Sequence, residues 1–155
     1  MIDRATFFRT LAATVLLGTG LGLAGCGQFG GTSPRSEFYD AKLEGAQEVP
    51  PAATAGSGQV ELQFNEKTSI ARWKIAHAGL SGPVTAGHIH GPAGPGQNAG
   101  VQVPFAGNLN AVPLQGEAKL SPQQANELMS GLWYVNLHTA KYPNGEVRGQ
   151  LRVRH

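Results

Sequence analysis

Apolar side chains recur at every second position through much of the chain, and this alternation constrains the fold more than any other feature. The clearest segments cover residues 60–64, 71–75, 101–105, 133–137 and 147–153. A period of two is typical of β-strands that bury one face. The 22 glycines and 10 prolines supply the turns that many short strands need. The sequence therefore predicts an all-β fold, an antiparallel Greek-key-like β-sandwich of about seven or eight strands with one short connecting helix.

Local capping signals mark that helix. Ser121 stands at the N-cap position, Pro122 occupies the first helical position and Gln124 completes a capping box. Gly131 provides the stop signal about two turns later. Further along, the segment YPNGEV at residues 142–147 predicts a hairpin turn, because proline fixes φ and the Asn-Gly pair tolerates positive φ.

The N-terminal residues differ in composition from the rest of the chain. Arg4 and Arg9 are followed by a run of apolar and small residues from Thr10 to Ala24. A membrane-spanning helix needs about 20 apolar residues. This glycine-rich run is shorter, so it fits the apolar region of an export signal instead.

The same run ends in LAGC at residues 23–26, which resembles the lipobox of bacterial lipoprotein signals. The resemblance implies cleavage before Cys26, the only cysteine, and attachment of a diacylglycerol to its thiol. We therefore expect a signal peptide over residues 1–25, a flexible tether over 26–37 and a folded domain over 38–155. The alternative is a free thiol within an ordinary signal peptide.

A lipid on Cys26 makes the membrane the first expected partner. It places the domain in the bacterial cell envelope, facing the periplasm or the exterior. The formal net charge is only +2 and no basic cluster occurs, so we expect no nucleic-acid partner. No second cysteine is available for an internal disulfide, so the domain must rely on its core, or on a core and a metal. A metal ion and an envelope protein are the other partners considered.

Three sequence blocks resemble the CHRD domain, the domain named for chordin. They are LEGAQEVPPAATAGSG (43–58), TAGHIHGPAGPGQNAG (85–100) and GLWYVNLHTAKYPNGEVRGQL (131–151), in the expected order. The resemblance covers roughly residues 41–153 and implies an all-β domain in an exported protein. It implies little about activity, because fold and family alone do not supply a function.

Three histidines form the candidate metal site. His88 and His90 lie two residues apart, so in a strand their imidazoles point to the same face. His138 alternates with Val135 and Leu137 and is expected on the polar face of its own strand. If the two strands are neighbours, three imidazole nitrogens can bind one ion per chain. Such a set suits copper or zinc, and copper is favoured in open competition.

The H-x-H strand also resembles that of copper-zinc superoxide dismutases, which use a third copper ligand much later in the chain. That pattern would correspond to His88, His90 and His138 and would imply a copper redox enzyme. However, the segment GPAGPGQNAG at residues 91–100 contains no His, Asp or Glu for a second metal. Nucleophile-elbow and phosphate-loop motifs are also absent. The sequence therefore favours a binding module over an enzyme.

Neighbouring polar residues allow two interpretations. In the first, Asn136, Glu146 and Arg148 lie just outside the metal ligands and support them, with Glu146 orienting a metal-bound histidine and Arg148 acting as an anion gate. In the second, Asn136 and His138 form a buried polar network with Glu146 and Arg148 that holds the last hairpin without any metal. That second interpretation suits a structural or protein-interaction module. A site for an organic ligand is the remaining alternative.

The other candidate residues carry weaker signals. Glu48, in the segment EVPP, is a possible but weaker ligand. His77 is expected to be a strand-end histidine rather than a ligand. Trp73 and Trp133 occupy alternating apolar positions and are expected to anchor the core.

Overall fold

The computed structural model describes residues 35–154. The predicted signal peptide, Cys26 and most of the predicted tether lie outside the described residues, as does His155. The first strand begins at Ser36, two residues before the expected start of the domain. Among the described residues, no helix has the length and apolar character needed to span a membrane.

The described residues form one antiparallel sheet with a single short α-helix, which confirms the predicted all-β sandwich. The strands are β1 (Ser36–Glu44), β2 (Ser57–Asn65), β3 (Ile70–Ala78), β4 (Val84–His90), β5 (Val101–Pro104), β6 (Leu114–Lys119), β7 (Tyr134–Thr139), β8 (Val147–Gln150) and β9 (Arg152–Val153). Their order is β5-β4-β7-β8-β1-β2-β3-β6, with β9 paired to β1. In this order β3 and β4, β5 and β6, and β6 and β7 are consecutive in sequence but are not neighbours in the sheet. The chain therefore crosses over between them, as in a Greek-key-like fold.

The core lies between the two halves of this sheet. In β2, Val60, Leu62 and Phe64 are buried while the residues between them are exposed, as the alternation predicted. Trp73 of β3 meets Phe105, which follows β5, with 5.1 Å between ring centroids. Because β3 and β5 lie in opposite halves of the strand order, this contact joins the two layers.

The predicted local signals are confirmed. The helix α1 spans Pro122–Met129, and the Ser121 and Gln124 side chains form the reciprocal capping box. Gly131 follows the helix with φ of 70°. Strands β7 and β8 pair as the predicted hairpin, and Gly145 in its turn has φ of 126°, a conformation that favours glycine.

Every residue of β7 is buried, on both faces. One face contributes Val135 and Leu137 to the core. The opposite, polar face is covered by two loops, residues 45–56 and 91–100. The loops contact each other, since the Asn98 amide donates a 3.0 Å hydrogen bond to the carbonyl of Val49. This covered polar face holds the candidate site.

Candidate metal centre

Pairing between β4 and β7 brings the three predicted histidines together. His88 lies directly opposite Asn136, and His138 lies opposite Ala86. The Nδ1 atom of His88 is 3.1 Å from Nε2 of His138. One nitrogen from each of the three rings lies within 4.8 Å of the others, so the three could hold a metal ion.

Backbone carbonyls determine which ring nitrogen carries the proton in two of these histidines. His90 Nδ1 lies 3.0 Å from the carbonyl oxygen of Ala99, and His138 Nδ1 lies 3.0 Å from that of Pro143. A carbonyl oxygen can only accept, so each Nδ1 carries the proton and donates it. In a neutral imidazole the Nε2 atom then has a free lone pair. Hydrogen bonds of this type orient histidines at metal sites.

Burial also favours neutral rings. It lowers the pKa of His88, and the neighbouring His138 and His90 lower that pKa further. Burial likewise lowers the pKa of His138, partly offset by its bond to Pro143. A metal must displace any proton from its ligands, so a lowered pKa leaves these nitrogens available near neutral pH.

The spacing of the nitrogens suits a metal of ordinary size. Two nitrogens bound tetrahedrally at 2.0–2.1 Å would be about 3.3 Å apart. His88 Nδ1 and His138 Nε2 are already 3.1 Å apart, and the remaining separations within 4.8 Å require only a modest contraction. The donor set therefore fits one ion.

Tyr134 stacks on His90, and Arg148 stacks on Tyr134. The rings of His90 and Tyr134 are parallel within 3°, with centroids 4.9 Å apart. The Arg148 guanidinium lies 3.4 Å from the centre of the Tyr134 ring. It also donates to the carbonyl of Gln97 at 2.6 Å and to the side-chain oxygen of Asn98 at 3.0 Å. Arg148 is buried and holds the covering loop, a position that differs from the expected anion gate.

No hydrogen bond joins Glu146 to a histidine among the described residues, which differs from the interpretation that it orients one. Its buried carboxylate accepts hydrogen bonds from the hydroxyls of Thr54, Ser81 and Thr139 and from the backbone N–H of Ser81. Burial alone would raise the pKa of Glu146, but these four bonds outweigh it and the pKa is lowered. The residue thus ties the last hairpin to the loops before β2 and β4.

Asn136 lies where the imidazoles converge. Its side-chain oxygen is 3.0 Å from Nε2 of His90 and 3.1 Å from Nε2 of His138. Asn136 was expected beside the site, and its side-chain oxygen lies within hydrogen-bonding distance of two of the three histidines.

Glu48 is the group that the sequence signalled only weakly. It is 5% exposed, and one carboxylate oxygen, Oε1, has no hydrogen-bond partner among the described residues. Burial raises the pKa of Glu48 to about 7, although the Arg148 charge and a hydrogen bond from Asn136 act in the opposite direction. Gly145 makes room for this carboxylate, because a Cβ at that position would lie 2.3 Å from Oε1.

The remaining candidates take the expected structural positions. His77 is the penultimate residue of β3 and is absent from the metal-competent cluster of the described residues. Trp73 and Trp133 are both buried in the core. The indole N–H of Trp133 donates to Glu127 of α1 at 3.2 Å, which joins the helix to the start of β7.

The family model for the CHRD domain matches residues 39–151. The matched range includes all three histidines and extends from β1 to the residue after β8. No curated protein and no solved structure shows significant similarity to the chain. Since the family model covers well over half of the sequence, the chain belongs to the CHRD domain family.

Proposed function

We propose that this chain is a lipid-anchored protein of the bacterial cell envelope whose CHRD domain binds one metal ion, copper in preference to zinc, through His88, His90 and His138. The observation that carries the proposal is the convergence of three imidazoles, two of which have their Nδ1 protons committed to backbone carbonyls. That arrangement leaves lone pairs on the Nε2 atoms of His90 and His138. Nδ1 of His88 donates its proton to Nε2 of His138 at 3.1 Å, so a metal ion that binds His88 through this atom displaces that proton.

The choice of copper follows from ligand chemistry. Imidazole nitrogens bind copper and zinc, and at a site of given geometry Cu(II) binds more tightly than the other divalent first-row metals. The three nitrogens carry no charge of their own, so the affinity comes from donor number and preorganisation. Such a site suits storage, delivery or structural binding of the ion, and we assign the domain a binding role rather than turnover.

A metal titration tests the proposal. The full-length protein, purified in detergent and treated with a chelator, should bind one Cu(II) per chain and unfold at a higher temperature with copper present. A His88→Ala/His90→Ala double variant should lose both effects. His77→Ala is the matched control, because His77 lies outside the cluster, and it should bind like the wild type. An unchanged melting temperature with copper, or undiminished binding by the double variant, contradicts the proposal.

The lipid anchor is supported by the LAGC segment at residues 23–26 alone. Expression in a bacterial host should yield a membrane-associated protein whose mass includes a diacylglycerol on Cys26. A Cys26→Ser variant should lose the lipid and leave the membrane fraction. Recovery of this variant in the membrane would refute the anchor without affecting the metal proposal.

A second candidate function is a structural or protein-interaction module of the envelope that needs no metal. It is favoured by the dense hydrogen bonding around the site, where Arg148 holds the 91–100 loop to the last hairpin and Glu146 holds the 45–56 loop to it through Thr54. This candidate predicts that copper and zinc leave the melting temperature unchanged. The copper titration therefore separates the two functions.

A further inference from the structure

We propose that the bound ion enters and leaves this site through His88, whose place a nitrogen donor from another molecule takes while His90 and His138 still hold the ion. This exchange rests on the proposed metal-binding function and deepens it. It gives the domain the role of a carrier, which passes its ion to a partner that presents an imidazole or a similar nitrogen donor. A site for permanent storage would instead hold all of its ligands equally firmly.

The three ligand rings differ in how the protein holds them. Nδ1 of His90 donates to the carbonyl of Ala99 at 3.0 Å. Nδ1 of His138 donates to the carbonyl of Pro143 at the same distance. Among the described residues, His88 makes a single hydrogen bond, from its Nδ1 to Nε2 of His138 at 3.1 Å. Hydrogen bonds at the second ring nitrogen orient histidines at metal sites, so His88 is the ring that lacks this support.

Metal binding also removes the one hydrogen bond that His88 makes. Nδ1 of His138 donates its proton to Pro143, so Nε2 of His138 is the atom that can bind an ion. The same Nε2 atom accepts the bond from His88. It has a single lone pair, which cannot bind an ion and accept a proton together. In the loaded site the ion alone therefore holds the His88 ring, whereas His90 and His138 keep their bonds to backbone carbonyls.

Packing around the rings shows the same difference. His90 lies parallel to Tyr134 within 3°, with 4.9 Å between centroids, and Arg148 covers the Tyr134 ring in turn. His88 meets His90 and His138 edge-on, with centroids 5.3 and 4.9 Å away. Among the described residues, the aromatic contacts of His88 are thus the other two ligand rings. No stacked side chain holds it in the way that Tyr134 holds His90.

Solvent reaches the site from the side of His88. This residue is partly exposed, whereas His138 is only 8% exposed. The second ring nitrogen of His88, Nε2, has no hydrogen-bond partner among the described residues, and unlike the unpartnered Nε2 of His77 it is not buried. Exposed side chains change rotamer within nanoseconds. His88 can therefore turn out and back, and a donor from outside meets the ion at the position that His88 leaves.

The exchange is a ligand substitution in which the ion keeps its charge. The incoming nitrogen donates its lone pair to the ion as the bond from His88 breaks, so the number of metal–nitrogen bonds stays the same. Further donors of the same partner then replace His90 and His138 in turn. The transfer needs no oxidant or reductant.

Nuclear magnetic resonance of the zinc-loaded full-length protein follows each ligand separately, because Zn(II) has a filled d shell and is diamagnetic. Spectra that correlate ring protons with ring nitrogens distinguish metal-bound from free imidazole nitrogens. As free imidazole is added, the nitrogen of His88 should change from bound to free first, while those of His90 and His138 stay bound. A His88→Gln variant assigns the signal that moves. His77 lies outside the cluster and is the internal control, with unchanged signals.

Copper transfer gives a second test. Excess free histidine should remove Cu(II) from the loaded full-length protein at a rate that rises in proportion to the histidine concentration, because the incoming nitrogen takes part in the slow step. Loss of the whole ion before capture would give a rate that does not depend on that concentration. His88→Ala should transfer its ion faster than the wild type, since the entry position is already open. His77→Ala should transfer at the wild-type rate.

The outcomes separate entry through His88 from the proposed function. Displacement of His90 or His138 by imidazole before His88, or equal displacement of all three, would overturn the entry role and leave the three-histidine site standing. A transfer rate that does not depend on histidine concentration would do the same, as would slower transfer from His88→Ala. If the wild type binds neither copper nor zinc, the proposed function and the entry role both fail.

Discussion

Burial of Glu48 should make the fold less stable as pH rises, and replacing this carboxyl by glutamine should remove the effect. Its pKa is raised from 4.5 to about 7 in the folded protein, mainly because burial disfavours the charged form. One pKa unit corresponds to about 1.4 kcal/mol, so the shift amounts to up to about 3 kcal/mol. A raised pKa means that this contribution is fully present below pH 4.5 and is lost as pH rises through 7.

The buried histidines His88 and His138 change the free energy of unfolding with pH in the opposite direction. The pKa values of His88 and His138 are lowered by burial, so protonation destabilises the folded state as pH falls below their usual range. Wild-type stability alone would mix the two effects. The difference between wild type and Glu48→Gln isolates the carboxyl, because both proteins keep the histidines.

Urea denaturation of the chelator-treated full-length protein at pH 5, 6, 7 and 8 measures this difference. The free energy of unfolding of the wild type, relative to Glu48→Gln, should fall by up to about 3 kcal/mol between pH 5 and 8. Glu66→Gln removes an exposed carboxylate from the β2–β3 turn and serves as the control. Parallel pH profiles for wild type and Glu48→Gln would refute the assignment of Glu48 as a buried carboxyl that takes up its proton near neutrality.

Three further substitutions test the framework around the site by urea denaturation. Ser121→Ala removes the helix cap and should lower the free energy of unfolding by about 1 kcal/mol; no change would mean that the capping box is dispensable. Gly91→Ala adds a Cβ 2.3 Å from the Trp133 ring and should destabilise by about 1–3 kcal/mol, whereas a neutral result would show that the 91–100 loop shifts freely. Glu146→Ala removes the acceptor of the buried Thr139 hydroxyl and of the partly buried Ser81 hydroxyl, and it should lower the free energy of unfolding by about 3 kcal/mol; a loss below about 1 kcal/mol would contradict its structural role.

Most of the fold could be predicted because its signals are local. Alternating burial identified the strands that pack one face on the core, and the Ser121 capping box lies within four consecutive residues. Strand β6 gave no such signal. Its sequence, LQGEAK, places Gly116 where an apolar side chain would be expected, and the Trp73 ring of the neighbouring strand fills that space. The Trp73 ring thus occupies the space that an apolar side chain at position 116 would otherwise fill, and the alternating apolar pattern is missing from β6.

The site was predictable only in part. The i, i+2 spacing sufficed to place His88 and His90 on one face, and alternation placed His138 on the polar face of its strand. The pairing of β4 with β7 depends on contacts about 50 residues apart in sequence, which no local pattern encodes. The burial of Glu48 could not be predicted for the same reason, because it depends on the covering loops and on the space left by Gly145.

The most direct test of the central claim is the number of imidazoles bound to copper in the full-length protein loaded with one Cu(II) per chain. Pulsed electron paramagnetic resonance counts them through the remote nitrogen of each coordinated ring. We expect three coordinated imidazoles in the wild type and in His77→Ala, and one fewer after each single replacement of His88, His90 or His138 that retains the ion. A wild-type spectrum with no coordinated imidazole, or one unchanged by these replacements, would contradict it.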